Sequence, residues 1–177
     1  MIETKLINLF AGPSSGKTTI ACGIFHWMKD KRLNIEYAPE YAKDIMWDSS
    51  YHLLDDQMSI FGKQHRRIYR LLNKVEYIIT DSPLLFSLVY GREAMKKYDD
   101  TWRDSFHRLV LDLHYQYENY NYFVERGDRK YIREGRTQDV DAAKEKDLQM
   151  HQMLNENKIH YKTIVSYEDV LHDLNLI

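Results

Sequence analysis

Residues 5–18 read Lys5-Leu6-Ile7-Asn8-Leu9-Phe10-Ala11-Gly12-Pro13-Ser14-Ser15-Gly16-Lys17-Thr18, and the architecture follows from them. An apolar, β-prone run ends abruptly in small residues, then in Gly-Lys-Thr. Behind it Ile20, Ile24, Trp27 and Met28 recur every three or four residues, which predicts a helix over Gly16–Lys31. Strand, glycine-serine loop and helix in that order are the context of a phosphate-binding loop. Small residues let the backbone curl until its amides point inward at an anion, and the helix N-terminus adds partial positive charge. Gly12, Pro13, Ser14, Ser15, Gly16, Lys17, Thr18 and Thr19 are therefore the expected cradle of a nucleoside triphosphate. Lys17 reaches the β- and γ-phosphates, and the Thr18 hydroxyl ligates Mg²⁺. Alanine at position 11 replaces the usual first glycine. That demands a φ which a side chain tolerates, with Gly12 beside it supplying flexibility.

Four more β-rich runs follow: Asn34–Ala38, Glu76–Asp81, Asn121–Glu125 and Tyr161–Val165. Pro13, Pro39 and Pro83 each follow a strand and precede a helical stretch, the first turn of a helix being a place proline suits. Apolar stripes predict helices over Leu53–Asn73, from Trp102 to Tyr117 with Thr101 and Asp104 as capping box, and over Thr137–Asn157. Ser166 and Asp169 cap a short last helix. Strands alternating with helices imply parallel pairing through right-handed crossovers, hence a three-layer α/β fold with ligands beyond the carboxyl ends of the strands. The 177 residues, without repeat or linker, read as one domain. A net charge of −2 argues against coating nucleic acid by bulk charge. Cys22 is the only cysteine, so a disulfide scaffold is excluded and a cytoplasmic protein expected. Neither a membrane span nor a signal peptide is read. Trp47, Trp102 and Phe86–Tyr90 are expected in the core.

A triphosphate site needs an acidic partner for the metal or its water, and Tyr77-Ile78-Ile79-Thr80-Asp81 ends an apolar run in one. Asp81 is the expected metal-shell residue with Thr18. The other use of a carboxylate there is to cap the helix near Pro83. A GTPase switch is disfavoured because Asn73-Lys74-Val75-Glu76 precedes the Asp81 strand and ends in glutamate, and Asp81 is followed by Ser82-Pro83-Leu84. A motor ATPase would need more chain for its coupling elements. A small kinase remains. It needs cations over the triphosphate, and residues 126–136, with Arg126, Arg129, Lys130, Arg133 and Arg136 and with Gly127 and Gly135 as hinges, read as an arginine-rich lid at about 126–137. It also needs a carboxylate to take the proton of the attacking hydroxyl. Glu40, just past Pro39, is the first choice and Glu36 the second. The catalytic set is thus Lys17, Glu40, Asp81, Arg129, Arg133 and Arg136.

The segment EYAPEYAKD, the helix bearing Gln57 and His65, and ITDSP together resemble the P-loop kinases that include the ribosylnicotinamide kinase domain of bacterial NAD-metabolism regulators. REGRTQD is similar to the lid of deoxynucleoside kinases. The resemblance spans nearly the whole chain in its order of elements. It implies a five-stranded parallel sheet, ATP with Mg²⁺, and phosphorylation of a hydroxyl on a nucleoside- or nucleotide-like acceptor by a monomer or homodimer. Gln57 or Gln64 would then read a base edge, beside Glu36 and Glu40. Compact members of this kind also occur among bacteriophage proteins. Two other readings stand beside it. One is a kinase of a hydroxyl in DNA, with the basic 62–74 segment as a track; the other is an ATP-regulated binding module with no small acceptor. His65 and the tyrosines at 115–122 read as packing residues, and Arg66, Arg67 and Arg70 as a solvated face.

Overall fold

The five apolar runs form strands β1 (Lys5–Phe10), β2 (Ile35–Tyr37), β3 (Tyr77–Thr80), β4 (Glu118–Val124) and β5 (Lys162–Ile164) in a computed structural model that describes residues 2–127 and 139–177. They make one parallel sheet in the order β2-β3-β1-β4-β5. β1 lies at its centre, with Ile7 opposite both Ile79 and Tyr120. A parallel strand covered on both faces reads as a nearly continuous apolar run, and every residue of β1 after Lys5 is buried, Asn8 alone among them being polar. Helices α1 (Lys17–Asp30), α2 (Ala42–Trp47), α3 (Gln57–Tyr69), α4 (Phe86–Ala94), α5 (Asp100–Tyr115), α6 (Val140–Glu156) and α7 (Tyr167–Asp173) complete the chain. α1 packs with α7, and α4 with α3, α5 and α6, giving helix, sheet and helix layers. Ile7, Leu9, Phe10, Ile78, Ile79 and Tyr122 are almost wholly buried between them. No helix among the described residues is long and apolar enough to cross a membrane.

The differences from the sequence reading have local causes. β4 begins at Glu118 rather than Asn121, because Asn8 donates to the side-chain oxygens of Asn119 (2.8 Å) and Asn121 (3.0 Å). Pairing with the central strand outweighs the poor β-propensity of those asparagines. The stretch 53–73 is not one helix: Tyr51–Asp55 is a 3₁₀ turn, and Asp56, whose carboxylate accepts from Ser59 N at 3.0 Å, starts α3. The prolines lie three or four residues before their helices, in the connecting loops rather than in a first turn. Trp47 is 65% exposed, not in the core, whereas Phe86 and Val89 are buried and Trp102 stacks between Tyr98 and Phe106.

The cap of α5 also moves. Asp99, not Thr101, accepts from the Trp102 amide at 2.8 Å. Asp99→Ala should cost about 1 kcal/mol in urea unfolding while Thr101→Ala stays within about 0.5 kcal/mol. Ser166 and Asp169 do form the expected reciprocal cap of α7.

Candidate functional site

The carboxyl ends of the strands converge on the loop between β1 and α1. Gly16 stands at φ 100° as the N-cap of α1, a conformation that favours glycine, and Ser14 is left-handed at φ 58°. A left-handed residue carrying a side chain costs roughly 1–2 kcal/mol, which the surrounding structure here sustains. Ala11 and Gly12 have no positive φ, so alanine fits the first position without strain. Gly12 is required for space rather than flexibility. A Cβ there would lie 2.4 Å from the Ala143 carbonyl oxygen of α6 and 2.9 Å from Asp147 Oδ1.

Lys17 folds back over this loop, donating to the carbonyls of Ala11 (2.7 Å) and Gly12 (2.9 Å). Burial lowers its pKa, while the carboxylates of Glu40, Asp81 and Asp147 act to keep its proton and Arg126 acts against it. Thr18 donates its hydroxyl to Asp81 Oδ2 at 2.5 Å. Asp81, only 3% exposed, therefore turns toward the loop; α4 begins after Leu85 without any side-chain cap. Tyr37 stands beside it: burial first, then the Asp81 charge, push its phenol well above the usual range.

Glu40 is presented by a braced loop. Gln64 accepts from the Tyr41 amide at 2.9 Å and donates to the Pro39 carbonyl at 3.3 Å. Arg67 donates to the same carbonyl at 3.1 Å and pairs with Asp44, so it is a brace and not a solvated arginine. Thr80 donates to the Ala38 carbonyl at 2.8 Å. Gln64 thus serves the loop that carries Glu40, and Gln57 donates to the Leu54 carbonyl at 2.6 Å. Glu36 is elsewhere. It pairs with Lys29 at 2.8 Å, twelve residues along α1 from Lys17 and hence about 18 Å down the helix. His65 packs as expected, its ring on Phe61 and its Nε2 3.0 Å from the Tyr117 hydroxyl. Arg129, Arg133 and Arg136 lie outside the described residues.

Two residues stand at the loop that composition and spacing did not single out for it. Asp147 Oδ1 accepts from the Gly12 amide at 2.5 Å, and its Oδ2 accepts from Arg126 Nε at 2.8 Å. Arg126, assigned by sequence to the lid, follows the end of β4 and reaches the loop directly. Three buried polar side-chain atoms lack a hydrogen-bond partner among the described residues: Ser15 Oγ, Asp81 Oδ1 and Arg126 Nη2. All three belong to the surround of the loop. Buried polar groups are nearly always paired, so a cluster of orphans marks a place made for something else. A hydroxyl and a guanidinium N–H suit a phosphate oxygen; a carboxylate oxygen beside Thr18 suits a divalent cation or its water.

No curated protein matches this chain in sequence. Two solved structures share its fold at 14% identity. NadR protein in complex with NR matches at a TM-score of 0.66 over 92% of this chain and 43% of that one, so the present chain spans less than half of NadR's length. Deoxyadenosine kinase from M. mycoides with bound dATP matches at a TM-score of 0.59 over 96% of this chain and 99% of that one. A family profile described as "AAA domain" matches residues 6–169. That span runs from the first strand through the phosphate loop to the last helix, and the chain belongs to this AAA domain family of P-loop proteins.

Proposed function

We propose that the protein is an ATP-dependent kinase which transfers the γ-phosphoryl group to a hydroxyl of a nucleoside- or nucleotide-like acceptor. The observation that carries this reading is the set of orphaned polar atoms at the loop, Ser15 Oγ, Asp81 Oδ1 and Arg126 Nη2, beside a Lys17 that donates to the loop carbonyls of Ala11 and Gly12. The fold likeness to a deoxyadenosine kinase supports it. Lys17 and the amides at the start of α1 hold the β- and γ-phosphates. Thr18 and Asp81 would hold Mg²⁺, which neutralises charge on the phosphates during transfer. Glu40, whose charge acts on Lys17, accepts the proton from the acceptor hydroxyl as its oxygen bonds to phosphorus and the bond to the bridging oxygen of ADP breaks. Its position on a loop held by Gln64, Arg67 and Thr80 fixes the base in place.

Arg129, Arg133 and Arg136 complete the proposal as cations that close over the triphosphate. The test is phosphate transfer from Mg·ATP across nucleosides, nucleotides, nicotinamide riboside and hydroxylated DNA, with Lys17→Ala as control. One small acceptor that gains phosphate, with turnover abolished in Lys17→Ala, is the expected result. Transfer to DNA alone moves the acceptor to a polymer. Slow ADP release that no acceptor raises overturns the kinase in favour of an ATP-regulated module.

A further inference from the structure

Asp147 lies on α6, the helix that follows residues 128–138, and its two carboxylate oxygens are divided between the backbone of the phosphate loop and the guanidinium after β4. One oxygen takes the Gly12 amide, the other Arg126 Nε. Both side chains are mostly buried, at 16% and 19% exposure. The fit at Gly12 is close enough that no Cβ could enter: Ala143 O, Asp147 Oδ1 and Arg126 Nη2 would lie 2.4, 2.9 and 3.3 Å from it. Arg126 Nη2 is thereby pinned against the loop with no partner of its own among the described residues.

Two features say that this is more than a structural ion pair. Arg126 stands near enough to Lys17 to oppose its protonation, and with Nη2 unpartnered among the described residues the two cations can serve one anion at the loop. The outer side of the pair is also open. Arg126 and Asp147 line a cavity of about 610 Å³ with Phe123 and His151, and the bond from Arg126 Nε to Asp147 Oδ2 orients the guanidinium beside it. Its aim depends on Asp147.

We propose that Asp147 is a positioning residue that clamps the Gly12 amide and the Arg126 guanidinium together, so that α6 is tied to the phosphate loop and Arg126 Nη2 is presented to a polyphosphate. This rests on the reading of the loop as an ATP site. Arg126 contributes a charge-assisted hydrogen bond to the phosphates, and Asp147 acts through it and never on the nucleotide itself.

The experiment is calorimetric binding of Mg·ATP, Mg·ADP and AMP to wild type, Asp147→Ala, Arg126→Ala and the double variant, with unfolding temperatures measured without nucleotide. Each single variant should bind ATP about 10–100-fold more weakly. The double variant should be no weaker than the weaker single one, because the two residues act as one unit. The loss should be larger for ATP and ADP than for AMP. Equal loss for all three nucleotides, or a lower unfolding temperature with unchanged ATP affinity, would reduce the pair to a structural one and overturn the proposal. Should Asp147→Ala fail to fold, Asp147→Asn carries the test, since it keeps an acceptor for Gly12 and removes the charge facing Arg126. Lys17→Ala separates the two levels. If wild type binds no ATP, the ATP-site reading falls; if wild type binds it through Lys17 and the Asp147 variants match wild type, the clamp alone falls.

Discussion

Glu40→Gln should bind Mg·ATP as wild type does and turn over its acceptor about 10²–10⁴-fold more slowly, the range expected when a general base is removed. Glutamine keeps the size of the side chain, and Gln64, Arg67 and Thr80 hold the loop beneath it. Structure and nucleotide binding should therefore survive. Glu36→Gln is the contrast. Its carboxylate is engaged by Lys29 on an exposed flank, where an ion pair contributes about 1 kcal/mol or less, so kcat should change by no more than about twofold. Equal turnover of wild type and Glu40→Gln on the true acceptor would remove Glu40 from the proton transfer. A matching fall in both glutamine variants would point to charge in general.

The second large effect is on stability. His114, near the end of α5, is 5% exposed, and burial depresses its pKa from 6.5 to about 4. Above pH 6.5 the ring is neutral in both folded and unfolded chains and adds no pH dependence. As pH falls the unfolded chain takes up its proton first, so stability is lost between about pH 6.5 and 4, in all by about 3 kcal/mol. Roughly 2 kcal/mol of it should be gone by pH 5. His65 and His151 are lowered in the same direction by burial and add to the slope. The carboxylates of Asp169 and Asp173, which are lowered, lose their contribution only at more acid pH. Urea midpoints at pH 7 and 5 should therefore diverge strongly for wild type and less for His114→Gln. A His114→Gln profile parallel to wild type would show that the ring is solvated in the folded protein.

The strands and the loop were legible because their signals are local. An apolar run, small residues and Gly-Lys-Thr lie within fourteen consecutive positions, and parallel strands buried on both faces announce themselves as continuous hydrophobic segments. Asp81 was readable for the same reason, as a carboxylate closing such a run. What escaped notice depends on residues far apart in sequence. Asn119 enters the strand ahead of the predicted start at Asn121, its side-chain oxygen accepting from Asn8, 111 positions away. Gln64 and Arg67 looked like groups facing a ligand or solvent, yet both grip a loop some 25 positions earlier. Asp147 did leave a trace. It is four residues after buried Ala143 and three before buried Met150, so a carboxylate sits on the apolar stripe of α6, where one belongs only with partners. The partners, Gly12 and Arg126, could not be read from the helix.

The central place of β1 bears on how the chain comes off the ribosome. Lys5–Phe10 is made before the strands that flank it, which begin to pair 72 and 113 positions later. At synthesis rates of about 5–20 residues per second, the second flank arrives roughly 6–23 s after the first strand. Until Tyr77 is made the central strand has two open edges, and until Glu118 one, the condition in which nascent chains recruit chaperones or pair with one another. Gly12 waits longer still, for a carboxylate 135 positions downstream. The central strand thus waits for partners made long after it, and fragments that stop before residue 118 would be released with that strand half unpaired.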